Sequence, residues 1–405
     1  MHQPRLRRCL TAAAAVAALA AVPALAGCSG AAVNSDNGSA TAGPLVVGFL
    51  TPKTGPYKVT GEDLVRGFQL YLDTHGGKLG GRTAKFVVED EADGKQSAAN
   101  AAKKLIEQDH ATILSGGATA DTTLSIQDMV ARAKIPFVGT GGRPSTLAPA
   151  DLPYIWHTSW LSREVGAAIA EYVKNTVDGP VYVIGPDYQG GYDNVGGFVD
   201  AFKTAGGTIA NDDGKPSWTP WPATTNFLPY LNKVDPAKVK GVFTFYAGAP
   251  GVAFVQQYAQ VLGGKVPLFA AGFLTDESIL DAEGAAADGI RTSLPYAADL
   301  DNPANRAFST AFTKAYNGSP RLLNVTAYDA AAVIDAAVTA AGPKATPAQI
   351  NEQIGKLGQI DSPRGPWRWS KDHSPVQTYY LRIVKNDGRG RANVNVQPLA
   401  TLGNN

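Results

Sequence analysis

Few residues of this chain are equipped for chemistry, and their spacing argues against catalysis. Beyond the first 28 positions the histidines are His75, His110, His157 and His373, far apart and without the H-E-x-x-H spacing that sets two imidazoles on one helix face toward zinc. No G-x-x-x-x-G-K-[ST] phosphate loop and no G-x-S-x-G nucleophile elbow occurs. The run Gly139-Thr140-Gly141-Gly142-Arg143 follows a strand-like segment, yet it lacks the G-x-G-x-x-G spacing of a dinucleotide turn. These absences predict a protein that is not an enzyme and needs neither a metal nor a cofactor.

The side chain with a readable chemical fate is Cys28. Arg5-Leu6-Arg7-Arg8 precedes an unbroken apolar run of 11 residues at 12–22, too short for a bilayer span of about 20 and suited to a signal sequence. Leu25-Ala26-Gly27-Cys28 follows and resembles a bacterial lipobox, in which the cysteine is acylated and becomes the mature N-terminus. Cys9 falls inside the signal, so processing leaves one thiol and no intramolecular disulfide, which favours acylation over a free reactive group. The small polar residues 29–43 read as a flexible tether. The expectation is a signal peptide at 1–27, a lipidated Cys28 with its tether to 44, and an extracytoplasmic body anchored to the cell membrane.

That body must supply the elements that position any site. The full chain has 405 residues, 44% of them hydrophobic and 18% charged, enough for two or three domains with real cores. Without residues 1–27 it holds 33 basic against 35 acidic residues, a balance that excludes nucleic-acid binding through a basic surface. Apolar strand-like runs at 45–50, 83–89, 111–114 and 135–138 alternate with amphipathic helical segments at 62–74, 96–108 and 121–134. After a break near 153–162 the series resumes with helices at 164–175, 195–205 and 251–262 and strands at 181–184, 239–246 and 267–271. This alternation predicts two doubly wound α/β lobes with parallel sheets. The last third offers helices at 303–316, 327–341 and 347–357 and a strand at 378–384, which complete both lobes only if the chain crosses between them more than once. A multi-strand hinge and a ligand cleft at the carboxyl ends of the strands follow.

The motifs, taken in order, resemble the extracellular solute-binding proteins of branched-chain amino-acid-type ABC importers, with a periplasmic-binding-protein type I fold. They are Val47-Gly48-Phe49-Leu50-Thr51 with Thr54-Gly55-Pro56-Tyr57, the Gly67-containing helix with Gly76-Gly77-Lys78-Leu79-Gly80-Gly81-Arg82, Glu89-Asp90-Glu91-Ala92-Asp93, and Ile113-Leu114-Ser115-Gly116-Gly117-Ala118-Thr119. Ile135-Pro136-Phe137-Val138, Asp187-Tyr188 and Thr224-Thr225-Asn226-Phe227-Leu228-Pro229-Tyr230-Leu231 continue the series. The resemblance implies lobe one from 45–158 plus about 295–360, lobe two from 159–294 plus about 361–405, and a monomer that closes on a small solute and delivers it to a membrane permease. An extracellular sensor that presents solute to a receptor is the alternative.

In such proteins, loops and helix N-termini of the first lobe take the ligand carboxylate and aromatics of the second lobe close over it. By position this implies Tyr57 and Thr60 from the first loop, Ala118 and Thr119 as carboxylate contacts, Gly141, Gly142 and Arg143 in the next loop, and Tyr188 and Tyr246 from lobe two. Two departures stand out. Phe273 occupies the place where amino-acid binders carry a carboxylate for the α-ammonium, with Asp276 or Glu277 as substitutes if the loop shifts. Arg143 replaces a small hydroxyl residue and has the fork to grip a carboxylate. Two ligand classes stay open: an aliphatic amino acid, or an amine-free carboxylate or amide whose apolar or aromatic body would suit Phe273, Trp160 and the tyrosines. Trp218, Trp221, Trp367 and Trp369 fall in Pro-rich loops and are expected to pack between lobes or against the surface.

Overall fold

The computed structural model describes residues 43–403 except 56, 277, 278, 387 and 389. The signal peptide, Cys28 and its acylation, most of the tether, and Glu277 lie outside the described residues.

Two sheets organise the chain. The first contains β1 (Leu45–Thr51), β2 (Lys78–Leu79), β3 (Arg82–Asp90), β4 (Ile113–Gly116), β5 (Phe137–Gly139) and β6 (Ile155–His157), in the spatial order β2-β3-β1-β4-β5-β6. All pairs are parallel except the β2–β3 hairpin. The second contains β7 (Val181–Asp187), β8 (Ser217–Pro220), β9 (Gly241–Thr244), β10 (Leu268–Ala271) and β11 (Arg291–Leu294), all parallel, and then β12 (Arg368–Trp369), β13 (Pro375–Asn386) and β14 (Arg391–Leu402). Its order is β12-β13-β11-β10-β9-β7-β8, with β14 antiparallel on β13. Central strands such as β1, β4 and β9 are buried along nearly their whole length and mostly apolar because helices cover both faces.

In each sheet the winding reverses once. In sheet one, β3 lies on one side of β1 and β4 on the other; in sheet two, β8 and β9 flank β7 in the same way. The loops leaving β1 and β4 therefore diverge and open a crevice, as do those leaving β7 and β9. Sheet one and sheet two each contribute one such crevice to the cleft.

The chain passes from sheet one to sheet two after β6, returns after β11 to build helices Pro303–Tyr316, Leu322–Ala341 and Pro347–Lys356, and passes to sheet two again before β12. Helix Leu322–Ala341 is long and apolar enough to cross a membrane, but it is a core helix here. It lies against helix Lys58–Thr74 because Gly67 has no side chain: a Cβ there would sit 2.1 Å from Asn324 O. Asn324 Nδ2 donates to Asp63 O at 2.7 Å across the same contact.

Arg364 ties the crossings together. Its guanidinium is fully buried, pairs with Asp329 at 3.0 Å, donates to Ser159 O at 3.1 Å and also to Thr158 O. Asp329 lies on the helix of the second crossing and also accepts from Ser362 Oγ at 2.8 Å and Trp367 Nε1 at 3.2 Å. Burial pushes the Asp329 carboxyl up to about 6 in spite of the neighbouring guanidinium.

The structure departs from the sequence expectations at element ends and edges. Helices begin earlier than periodicity indicated, at Lys58, Gln189 and Leu322, and β6, β8, β11 and β14 were not anticipated. The three short parallel strands carry four residues or fewer, and β14 is a half-exposed edge containing Pro398, so none shows a clean alternation. Replacing Arg364 with Met leaves the Asp329 carboxyl buried without its cation, and we expect a loss of about 3–5 kcal/mol in urea unfolding. The double replacement of Arg364 and Asp329 by Met and Leu should recover most of it.

Candidate functional site

The two crevices meet in a cavity between the sheets. Its lining comes from the loop after nearly every central strand. Tyr57 and Thr60 follow β1, Ala118 and Thr119 follow β4, Gly142 follows β5, and Trp160 and Ser162 follow β6. From the other side, Tyr188, Gly190 and Asn194 follow β7, Phe245 and Ala247 follow β9, and Phe273 follows β10; Ala120 and Leu323 complete the wall.

Many of these residues stand at the start of a helix. Tyr57, Thr119, Tyr188 and Ala247 are N-caps, and Ser162 and Leu323 lie in the first turns of helices Ser162–Thr176 and Leu322–Ala341. Six helix N-termini thus border one cavity and bring their partial positive charge to it, although some of their first-turn N–H groups are already taken, those of Ser162 and Glu164 by Arg143 O and Leu161 O. None of the fifteen lining residues carries a charged side chain. The site therefore offers a positive field made by backbone and no fixed charge of either sign.

The walls are aromatic. Phe273 packs at 4.9 Å from Trp160 and 5.9 Å from Phe245, measured between ring centroids. At the mouth the Tyr57 hydroxyl meets that of Tyr188 at 2.7 Å, and Trp221 stacks on both rings, 5.4 Å from Tyr57 and 4.9 Å from Tyr188. Tyr57 precedes a helix of the first sheet and Tyr188 leaves the second, so this contact joins the lobes. Burial holds the Tyr188 hydroxyl protonated, well above its ordinary range. Gly142 brings two further polar atoms close, since a Cβ there would lie 2.6 Å from Ser162 Oγ and 3.2 Å from Trp160 Nε1.

One acid stands behind the wall. Glu91 is buried and accepts from Ala118 N at 2.6 Å and Thr122 Oγ1 at 2.9 Å, at the N-terminus of helix Ala120–Ala133. Burial pushes its carboxyl up to about 7, with Asp90 adding to the rise and the two hydrogen bonds opposing it. The Ala118 N–H, expected to meet a ligand carboxylate, is engaged by Glu91 instead.

Of the sequence-derived candidates, Tyr57, Thr60, Ala118, Thr119, Gly142, Tyr188 and Phe273 line the cavity, and four do not. Arg143 is 1% exposed and folds back beneath its own loop, donating to Leu147 O at 2.7 Å and Pro144 O at 3.3 Å. Its backbone pairs with Trp160 and Ser162, and this bridge turns the side chain away from the cleft. Tyr246 points into the core of lobe two, packed on Phe227 and Phe254 with its hydroxyl 2.9 Å from Thr219 Oγ1. Asp276 faces the buried Arg382 at 3.3 Å. Gly141 turns its carbonyl toward His157 Nδ1 at 3.1 Å, behind the wall. Ser162, Asn194, Phe245 and Leu323 line the cavity and were not foreseen. Phe245 continues the face of Phe243 past the end of β9, and Tyr246 continues that of Val242.

Comparison with known proteins gives the same assignment at family level. The sequence profile of the family described as periplasmic binding protein matches residues 44–389. The chain is 29% identical over 375 residues to Leu/Ile/Val-binding protein homolog 6 of Brucella melitensis, covering 90% of this chain and 94% of that protein. It superposes on an ABC-transporter solute-binding protein of R. palustris in complex with benzoate, with TM-score 0.82, 31% identity, and coverage of 90% and 98%. A second R. palustris solute-binding protein, in complex with 4-hydroxybenzoate, superposes with TM-score 0.80 and 25% identity, covering 88% and 97%. These relatives are solute-binding proteins rather than enzymes, and the family is extracytoplasmic. With its two facing crevices and the profile spanning nearly all of the described chain, this protein belongs to the periplasmic binding protein family, among the solute-binding proteins of ABC transporters.

Proposed function

We propose that this protein captures a small aromatic carboxylate of the benzoate class and delivers it to the permease of an ABC importer. The observation that carries the reading is the cavity's charge inventory: six helix N-termini and no charged side chain. A carboxylate is met there by backbone N–H groups. The ammonium of an amino acid would be desolvated with no carboxylate to receive it, because Phe273 stands in the wall and Asp276 is paired with Arg382. Phe245, Phe273, Trp160 and the two tyrosines suit the faces and edges of a ring. The benzoate held by the R. palustris relative agrees with this choice. In the same reading the protein acts as a monomer, Cys28 carries the lipid anchor, and the lobes divide at 45–158 with about 295–360 and at 159–294 with about 361–405.

Residues 29–405, stripped of carried-over ligand by mild denaturation and refolded, test the reading in a thermal-shift panel. Benzoate and its hydroxylated relatives should raise the melting temperature, by the equivalent of about 2.7 kcal/mol at 100 times the dissociation constant. Leucine, isoleucine and valine should leave it unchanged. Stabilisation by those amino acids and not by aromatic acids would overturn it.

Glu91 adds a pH dependence. Below about 7 its carboxyl is neutral; above that it places a negative charge on the helix N-terminus that the ligand carboxylate also uses. Affinity for benzoate should therefore fall as pH rises from 6 to 8, by on the order of 1 kcal/mol or several-fold in the dissociation constant. Titration calorimetry at both pH values checks this, and Glu91→Gln should flatten the dependence.

A further inference from the structure

Asn194 lies one turn into helix Gln189–Thr204, lines the cavity and is 3% exposed. Its amide is oriented by its own helix, because Nδ2 donates to Gly190 O at 2.8 Å. That bond fixes which end of the amide is free, and Oδ1 is buried with no hydrogen-bond partner among the described residues. Close packing holds the helix in place: a Cβ at Gly166 would lie 1.9 Å from Asn194 O, and one at Gly197 would lie 2.0 Å from Arg163 O, so helices Ser162–Thr176 and Gln189–Thr204 meet backbone to backbone. The side-chain amide itself is held by its bond to Gly190 O.

A buried acceptor without a donor costs free energy, and a ligand that brings the donor recovers it. A ring hydroxyl is such a donor, whereas unsubstituted benzoate has none. The geometry points to Asn194 Oδ1 as the acceptor for a hydrogen-bond donor on the solute, so that the preferred ligand is a hydroxylated aromatic acid rather than benzoate itself. This rests on the aromatic-carboxylate reading above and refines it. The carboxylate and the hydroxyl are recognised by different groups: the first by helix N-termini that bind any anion, the second by one oriented side chain that discriminates.

The test compares benzoate, 3-hydroxybenzoate, 4-hydroxybenzoate and 4-fluorobenzoate by titration calorimetry on the wild-type protein and on Asn194→Leu, with melting curves to confirm that the variant folds. At least one hydroxy acid should bind wild type tenfold or more tighter than both benzoate and the fluoro acid, which lacks the donor. In Asn194→Leu that ratio should collapse toward one. If benzoate binds wild type as tightly as every hydroxy acid, or if the ratio survives in the variant, the role given to Asn194 is wrong while the aromatic-acid reading stands. If no aromatic acid binds wild type, both fall together. Should the variant fail to fold, the wild-type comparison of hydroxy and fluoro acids decides alone, a preference for the hydroxy acid supporting the proposal and equal binding overturning it.

Discussion

The buried pairing of Arg364 with Asp329 is the interaction on which the remaining architecture leans. Two lobes joined by three passages of chain need those passages held in register, and each passage exposes peptide groups that no sheet satisfies. Arg364 answers both needs at once. It neutralises an acid on the helix that returns to lobe one and donates to the carbonyls of Thr158 and Ser159, where the chain first leaves it. Gln377 reinforces the same spot by donating to Ser159 O at 2.7 Å.

In the proposed reading, charge and shape fall to different parts of the molecule around those passages. Charge falls to helix termini, a consequence of where doubly wound sheets place their loops. Shape falls to Trp160, Phe245, Phe273 and the tyrosine pair at the mouth. Glu91 moderates the first of these, because a buried acid on the helix N-terminus occupies part of the field that the ligand would use.

The architecture was largely legible in the sequence because it is written in long periodic segments. The alternation of strand and helix predicted two parallel sheets, and the motif order located most of the loops that line the cavity. Single residues were harder, and each miss has a physical cause. Tyr246 is the residue that the family resemblance implies by position, whereas neighbouring side chains at the end of β9 face opposite ways, so that Phe245 reaches the cavity and Tyr246 the core of lobe two. Asn194 lay one position outside a helix whose Gly-Gly start hides its first turn. Leu323 was missed for the same reason at the head of a helix read from 327. Arg143 looked like an anion grip by type, but the backbone bridge to Leu161 decides its direction, and such a tertiary contact leaves no trace in local spacing. Of the final hairpin the strand at 378–384 is legible, and β14 is not, because it is a solvent-facing edge with little apolar pattern.

The border of helix N-termini carries a consequence for how such proteins diverge. A site whose charge preference resides in peptide groups keeps it through almost any replacement of side chains, since the peptide groups do not mutate. Drift in the wall residues then alters which molecular body is accepted while the capacity to hold an acid persists. In the proposed reading, an acidic residue at the place of Phe273 would give that wall a partner for an ammonium, so the acceptance of amines turns on a wall position and leaves the scaffold unaltered.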